Sequence, residues 1–396
     1  MMKNYQLKVF EMEAFILMIE KLIFIYLCLA VIYLFLFSFF SLWERKHKHP
    51  VSPKKIKFLI LIPAYKEDSV IMDSVNSALA QDYPKDKMEL VVISDRMKDE
   101  TNSILTNLPL TLFVISPENS SKGYALNYAI EQLENKSYDM VVVLDADNVV
   151  GSDFLFNLNN CHYSGSKAIQ AHRVAKRIDS ELAVLDAISE EINNSIFRKG
   201  HINIGLSSAL IGSGMAIDFN WFKENCSKLV SAGEDKELEI MLLKDGIYID
   251  FLEDVLVYDE KVDKEVTFYN QRRRWLAAQF WSLYIGIKSL PKAIIKNNVD
   301  YIDKIFQWML PPRIILIGVV SLMAGITTLL RWDLSVKWWI ILLALSFAFA
   351  MAVPDYLVTK QNSKAIKRLP LLFVLMILNF FRLKGASTKF IHTNKG

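Results

Sequence analysis

Hydrophobic and polar positions divide the chain into three kinds of stretch. From Leu22 to Trp43 there is no charged residue, and Leu, Ile, Phe, Val and Tyr fill almost every position. At about 1.5 Å per residue a helix of that length spans the roughly 30 Å hydrocarbon core of a bilayer. It is too long for a signal-peptide core and lacks a small-residue cleavage site, so the pattern predicts a retained anchor. From Phe58 to about Phe251 the apolar runs shorten and alternate with amphipathic stretches. Residues 58–62, 90–93, 112–115, 140–144 and 247–251 predict strands, and residues 70–80 and 124–133 have helical periodicity. A further helix opens near Glu234 and stops at Asp245-Gly246, where glycine suits a left-handed cap. Strands alternating with helices predict an α/β domain with a mainly parallel sheet.

Beyond Val262 the pattern becomes a long amphipathic region holding Gln271-Arg-Arg-Arg-Trp275 and the aromatics Phe280, Trp281 and Tyr284. Cations and aromatics with apolar neighbours suit a helix lying at a membrane surface. Residues 314–330 and 338–353 are uncharged runs joined by residues 331–337, which predicts a transmembrane hairpin. Residues 369–381 are strongly apolar but reach only about 20 Å as a helix. Basic residues flank them on both sides (Lys364, Lys367 and Arg368; Arg382 and Lys384), so an interfacial helix is expected. The organisation read from the sequence is therefore an anchor in 1–50, an α/β domain in 51–261, an interfacial region in 262–313, a hairpin in 314–353 and a tail in 354–396.

Composition sharpens that picture. Of 396 residues, 52% are hydrophobic, and the mean hydropathy of +0.23 is high for a soluble enzyme. The net charge of +3 gives no electrostatic case for a nucleic-acid partner. Glu11, Glu13 and Glu20 stand among Lys3, Lys8 and Lys21 before the anchor, whereas Arg45, Lys46, Lys48, Lys54, Lys55 and Lys57 follow it with no comparable acid content. The positive-inside bias puts the α/β domain in the cytoplasm, on a multi-pass protein of the cell membrane. Cys28, Cys161 and Cys226 are far apart, with no Cys-x-x-Cys spacing, which argues against a zinc site or a disulfide framework.

The candidate chemistry centres on Met140-Val-Val-Val-Leu-Asp-Ala-Asp147. A buried strand that ends in Asp145 and Asp147 puts two carboxylates at the edge where open α/β sheets bind ligands. Such a pair repels unless a cation joins it, and Mg²⁺ or Mn²⁺ carrying a diphosphate is a natural partner. A solvated acidic turn explains this stretch equally well. Other polar segments share the same sheet edge. Pro63-Ala-Tyr-Lys-Glu-Asp68 follows the first strand, Asp95 ends the second, and Ser121-Lys-Gly123 opens a helix able to hold a phosphate. Glu234-Asp235 reads either as ordinary first-turn acids or as a general base. Gln271–Trp275 reads as a basic patch on anionic lipid, or as Arg274 on a diphosphate with Trp275 against a sugar ring.

Asp95, Asp145-Ala-Asp147, Glu234-Asp235 and Gln271–Trp275, in this order, resemble the D, DxD, ED and QxxRW series of membrane-bound family 2 glycosyltransferases, the cellulose, chitin and hyaluronan synthases among them. The resemblance runs from Lys57 to Leu276. It implies a GT-A fold, a UDP-sugar donor, a divalent metal and inverting transfer to a glycan or lipid-linked acceptor, in cell-surface polysaccharide synthesis. It implies that Ala64, Tyr65, Glu67 and Asp95 hold the nucleotide and that Lys122 meets the donor phosphates. Asp145 matches the nucleotide-side acid and Asp147 the metal ligand. Asp235 matches the catalytic base, and Gln271, Arg274 and Trp275 match the motif that closes donor and acceptor sites. Residues 210–214, with Gly212 and Ser213, resemble the acceptor-channel loop beside Glu234 and Trp275. Residues 390–395 resemble the FxVTxK gating loop of cellulose synthases, with Thr393 and Lys395 as diphosphate contacts and His392 in place of the valine.

Two departures stand out. Gly233 precedes the Glu-Asp pair where cellulose synthases have Thr. The expected membrane part is small for enclosing a polysaccharide channel, a need that a lipid-linked acceptor or a homo-oligomer would avoid. A polyprenyl-phosphate sugar synthase or a non-processive glycolipid glycosyltransferase is the alternative enzyme class, although the former does not need the Gln-Arg-Trp or tail motifs. A transporter would need an ionisable pathway, yet Arg313 stands alone at a helix end. A non-catalytic scaffold would not need Asp235.

Overall fold

The computed structural model describes residues 2–44, 49–231, 233–262, 265–359 and 362–381. Its centre is an eight-stranded sheet in the order β3-β2-β1-β4-β7-β6-β8-β5. In chain order the strands are β1 (Phe58–Tyr65), β2 (Met88–Asp95), β3 (Thr111–Ile115), β4 (Met140–Val143), β5 (Val149–Val150), β6 (Ala168–Ala175), β7 (Met215–Asp218) and β8 (Ile249–Asp259). The period-two geometry of a strand explains why β1 is apolar on both faces. Leu59 and Leu61 join one core with Val91, Ile93, Val141 and Val143. Phe58, Ile60 and Ile62 join a second core with Val92, Met140, Val142 and Phe154.

The sheet is mixed: four of its seven strand pairings are parallel, as expected of a mainly parallel sheet, and the antiparallel ones lie in its second half. Strands β3, β2, β1 and β4 are parallel, but β7 runs antiparallel to both β4 and β6. Strands β6 and β8 are again parallel to each other, and β5 is antiparallel to β8. This reversal decides where the chemistry lies. Met215 at the start of β7 pairs with Val143 at the end of β4, so the loop entering β7 emerges beside the acidic end of β4. Gln170 pairs with Met215, and β6 then runs onward to Ala175, opposite Asp259 of β8. The carboxyl ends of β1, β2, β4, β6 and β8 thereby share one edge with the entry to β7.

Helices cover both faces and extend the molecule away from the sheet. The helices Ile71–Leu79, Lys122–Gln132 and Glu234–Lys244 fall close to the expected segments, and Gly246 has the left-handed φ of +72° after the last of these. The region after Val262 is the helix Glu265–Gly286 followed by Leu290–Ile295 and Val299–Met309. Among the described residues, three helices are long and apolar enough to cross a membrane: residues 10–41 of the helix Met2–Ser41, Arg313–Leu330 and Trp332–Ala352. The expected loop over residues 331–337 is overturned, because helix resumes at Trp332 and Arg331 alone makes the turn. Glu20, buried in the first of these helices, explains how it is held. It accepts from Lys337 Nζ at 2.7 Å and from Trp338 Nε1 at 2.8 Å. The apolar helix Leu369–Phe381 lies against Arg313–Leu330, where Gly318 leaves room for the ring of Phe373.

Candidate active site

One cavity of about 450 Å³ opens at the shared strand edge, a size typical of small-molecule sites. It brings together Ala64, Tyr65, Glu67, Asp95, Lys122, Asp145, Asp147, Gly212, Glu234, Asp235, Gln271, Arg274 and Trp275. Residues that the sequence scatters from the first strand to the helix Glu265–Gly286 thus line a single space.

The ends of β1 and β2 form one side. Tyr65 and Asp95 are register partners, and the next residues, Lys66 and Arg96, both adopt φ of +55°. Non-glycine residues pay for that conformation in strain. The Lys66 N–H recovers a bond to the Asp95 carbonyl at 3.1 Å. Asp95 is 3% exposed, and burial raises its pKa against the pull of Ser120 and the charges of Arg96 and Lys66. Its Oδ1 lies 4.0 Å from Arg96 Nε and accepts no hydrogen bond within 3.5 Å among the described residues, so it retains capacity for a ligand hydroxyl.

Asp145, Asp147 and Asp259 form the acidic centre, with carboxylate oxygens all within 4.8 Å of one another. The Asn148 amide holds the group together: its Nδ2 donates to Asp147 Oδ1 at 3.4 Å and to Asp259 Oδ1 at 3.2 Å, while its Oδ1 accepts from the Asp145 N–H at 3.0 Å. Cations surround the cluster. Lys122 Nζ donates to Asp145 Oδ1 at 2.5 Å, Lys261 lies 3.1 Å from Asp259, and Arg173 lies 4.0 Å from Asp145. Arg173 and Lys261 are in turn paired with the buried Glu190. Three converging hard oxygen donors fit Mg²⁺ or Mn²⁺.

The first turn of the helix Glu234–Lys244 closes the opposite side. A side chain at Gly212 would come within 3.3 Å of Asp235 Cβ, and Gly212 holds φ of +81°, so glycine lets the loop approach Asp235 this closely. The Gly212 carbonyl accepts from Lys122 Nζ at 2.7 Å. Glu234 Oε1 lies 3.5 Å from the same Nζ. Burial pushes the Glu234 carboxyl up to about 7, opposed by Lys122 and reinforced by Asp235. Gly233, the departure noted above, has a local cause: a Cβ there would sit 2.7 Å from Ala278 Cβ in the helix Glu265–Gly286. That helix also carries Arg272, which pairs with Asp186 and lies 4.6 Å from the Trp275 ring.

The remaining expectations sort differently. Ser213, next to the cavity-lining Gly212, is fully buried. The left-handed φ of +61° at Gly214 turns the chain inward against Val257, and Gln170 Nε2 grips the Ser213 carbonyl at 2.9 Å. Thr393 and Lys395 lie outside the described residues. Sequence reasoning missed Asn148, Arg173, Glu190, Asp259 and Lys261. Asn148, next to the acidic pair, and Asp259, ending an apolar run, offered some signal; the others offered none.

Residues 53–278 match the family model described as "Glycosyltransferase like family 2". The probable glycosyltransferase YdaM of Bacillus subtilis is 22% identical over 340 residues, which cover 82% of this chain and 79% of that protein. Poly-beta-1,6-N-acetyl-D-glucosamine synthase of Staphylococcus aureus is 35% identical over 96 residues, 24% of this chain and 22% of that one. Among solved structures, the mannosyltransferase PcManGT from Pyrobaculum calidifontis, in complex with GDP-Man and Mn²⁺, has a similar fold. It has a TM-score of 0.52 and 18% identity, covering 82% of this chain and 93% of that one. The α/β part is therefore GT-A-like, with a mixed sheet.

Proposed function

The chain belongs to glycosyltransferase family 2, and on that premise we propose that it is a membrane-bound, metal-dependent, inverting enzyme that moves a sugar from a UDP-sugar donor to a glycan or lipid-linked acceptor in cell-surface polysaccharide synthesis. The observation that carries this reading is the convergence of Asp235 with the Asp145, Asp147 and Asp259 carboxylates in one cavity. Proton chemistry and charge neutralisation then have separate residues in reach of one substrate.

Tyr65, Glu67 and Asp95 hold the nucleoside. Asp145, Asp147 and Asp259 would hold a divalent metal, which would supply Lewis-acid neutralisation of the charge on the diphosphate. Lys122 and Arg274 offer further positive charge to the phosphates, preorganised before reaction. Asp235 takes the proton from the acceptor hydroxyl, which attacks the anomeric carbon from the face opposite the leaving group. Trp275 presents its indole face to the apolar side of a sugar ring.

Membrane embedding is supported by the apolar side chains that the three long helices present outward. Leu329 is 85% exposed, Leu330 75%, Trp332 70% and Leu22 61%, and water is a poor neighbour for such a surface. The test of the function is incubation of membranes carrying the protein with labelled UDP-sugars and Mg²⁺ or Mn²⁺, followed by sizing of the product. Label in a glycan ladder or in one lipid-soluble species supports the reading. No label transferred from any UDP-sugar contradicts it.

A further inference from the structure

Family membership and the donor site leave part of the cavity unexplained. That part is lined by Arg198, Arg272 and Arg313 together with Asp186 and Ser189. Positive charge there is under-compensated. Arg272 pairs with Asp186. Arg198 is 3% exposed, yet its hydrogen bonds go to neutral groups, the Ala209 carbonyl at 3.1 Å and Asn194 Oδ1 at 2.7 Å. Arg313 Nη2 donates to the carbonyl and hydroxyl of Ser189 at 2.9 and 3.0 Å, while its buried Nη1 meets no partner among the described residues. Carboxylates elsewhere in the cavity are committed to other cations, Glu190 to Arg173 and Lys261, and Glu239 to Lys304.

Burying a cation without an anion costs several kcal/mol, roughly, even after relaxation. Guanidinium groups also match phosphate oxygens with a planar fork of donors. The placement of these arginines next to apolar helices bears on what would carry such a phosphate. Arg313 is the first residue of the apolar helix Arg313–Leu330, whose N-terminal dipole adds positive potential. Met376, from the apolar helix Leu369–Phe381, borders the same cavity. Arg198 reaches it from the widened π-helical turn Ser195–Gly200. Lys122, Arg173 and Lys261 sit around the acidic centre on other elements, so the donor diphosphate has cations of its own.

We propose that Arg198, Arg272 and Arg313 bind the phosphate or diphosphate headgroup of a lipid-linked acceptor, its hydrocarbon chain leaving beside the helices Arg313–Leu330 and Leu369–Phe381. This rests on the glycosyltransferase reading and deepens it by naming the acceptor class. The lipid phosphate anchors one end of the acceptor, and the hydroxyl to be glycosylated reaches Asp235 at the other.

Native mass spectrometry of the full chain, delipidated in detergent and incubated with decaprenyl phosphate, tests the proposal. Wild type is expected to retain decaprenyl phosphate but not decaprenol. Arg313→Gln and Arg198→Gln are expected to lower retention by about tenfold, the scale of one lost charge-assisted hydrogen bond. Ser189→Asp supplies a carboxylate to Arg313 and is expected to expel the lipid without removing an arginine, which covers the case in which an arginine variant fails to fold. Equal retention of decaprenol overturns the proposal, as does unchanged retention in the folded variants. Displacement by equimolar inorganic phosphate also overturns it, by assigning the site to free phosphate. UDP binding with Mn²⁺, measured by calorimetry on the same samples, separates the two readings. Its absence in wild type refutes the donor site alone, whereas its presence without lipid retention refutes the lipid site alone.

Discussion

Asp147, just past the end of β4, and Asp259, the last residue of β8, bring their carboxylate oxygens within 4.8 Å of each other. The antiparallel β7 makes this meeting possible, because it lets β6 and β8 end at the same edge as β4. Asp259→Asn is therefore expected to raise the Mn²⁺ concentration for half-maximal activity by at least about tenfold, the lower end of the effect of disturbing a metal's supporting ligands. Metal titration of the transferase reaction reads this directly. An unchanged Mn²⁺ requirement would remove Asp259 from the metal site.

Glu234 makes stability depend on pH. Its carboxyl rises from 4.5 to about 7 on folding, burial being the largest cause. The folded chain thus holds the proton more tightly than the unfolded one. Its contribution to stability is complete below 4.5 and is lost as pH rises through about 7. Glu234→Gln keeps the neutral form at every pH. The stability of the variant relative to wild type should grow across that window, by at most about 3 kcal/mol. Thermal unfolding of both proteins at several pH values checks the sign, and a flat or falling difference contradicts it.

Gly233 is set by packing against Ala278. A Cβ on residue 233 would lie 2.7 Å from that methyl group. Gly233→Thr should therefore destabilise the protein by about 1–3 kcal/mol, the usual cost of overpacking. The double variant with Ala278→Gly should recover most of the overpacking cost. A denaturant double-mutant cycle measures the coupling, and strictly additive effects would refute the clash.

Lys304 and Glu239, each about 1% exposed, meet at 2.9 Å beneath the loop that carries Leu210. Glu239 Oε1 also accepts from the Leu210 N–H at 2.9 Å. Lys304→Met strands that carboxylate in the interior and is expected to cost about 3–5 kcal/mol. Replacing both residues with Met and Gln should cost less than the single change. Chemical denaturation of the two variants decides the point.

The sequence was most informative where apolar runs were long. The first four strands and the principal helices were legible because both faces of β1 and β4 are largely buried and their residues are almost all apolar. The second half of the sheet was not. Strand β6 buries Gln170 and Arg173, whose polarity disguises a central strand, and β5 and β7 are too short to show a period. The expected strand over 247–251 missed the rest of β8, where a register shift at Ala171/His172 interrupts the pairing. Losing those strands also hid Asp259, whose role depends on which end of β8 reaches the acidic edge. The candidate site was legible in Asp145, Asp147 and Asp235 through motif order. Arg198 and Arg313 were not, because their meaning lies in hydrogen bonds that, among the described residues, go only to neutral groups.

In the proposed metal-assisted sugar transfer, Asp235 is the base. The most direct test compares wild type with Asp235→Asn for transfer from labelled UDP-sugars in the presence of Mn²⁺, with UDP binding measured on both. The predicted result is labelled product from at least one donor with wild type. Asp235→Asn should lower that rate by about 10²–10⁴, the usual contribution of a general base, while UDP binding is unchanged. Wild-type transfer by Asp235→Asn, with UDP binding intact, would contradict the account.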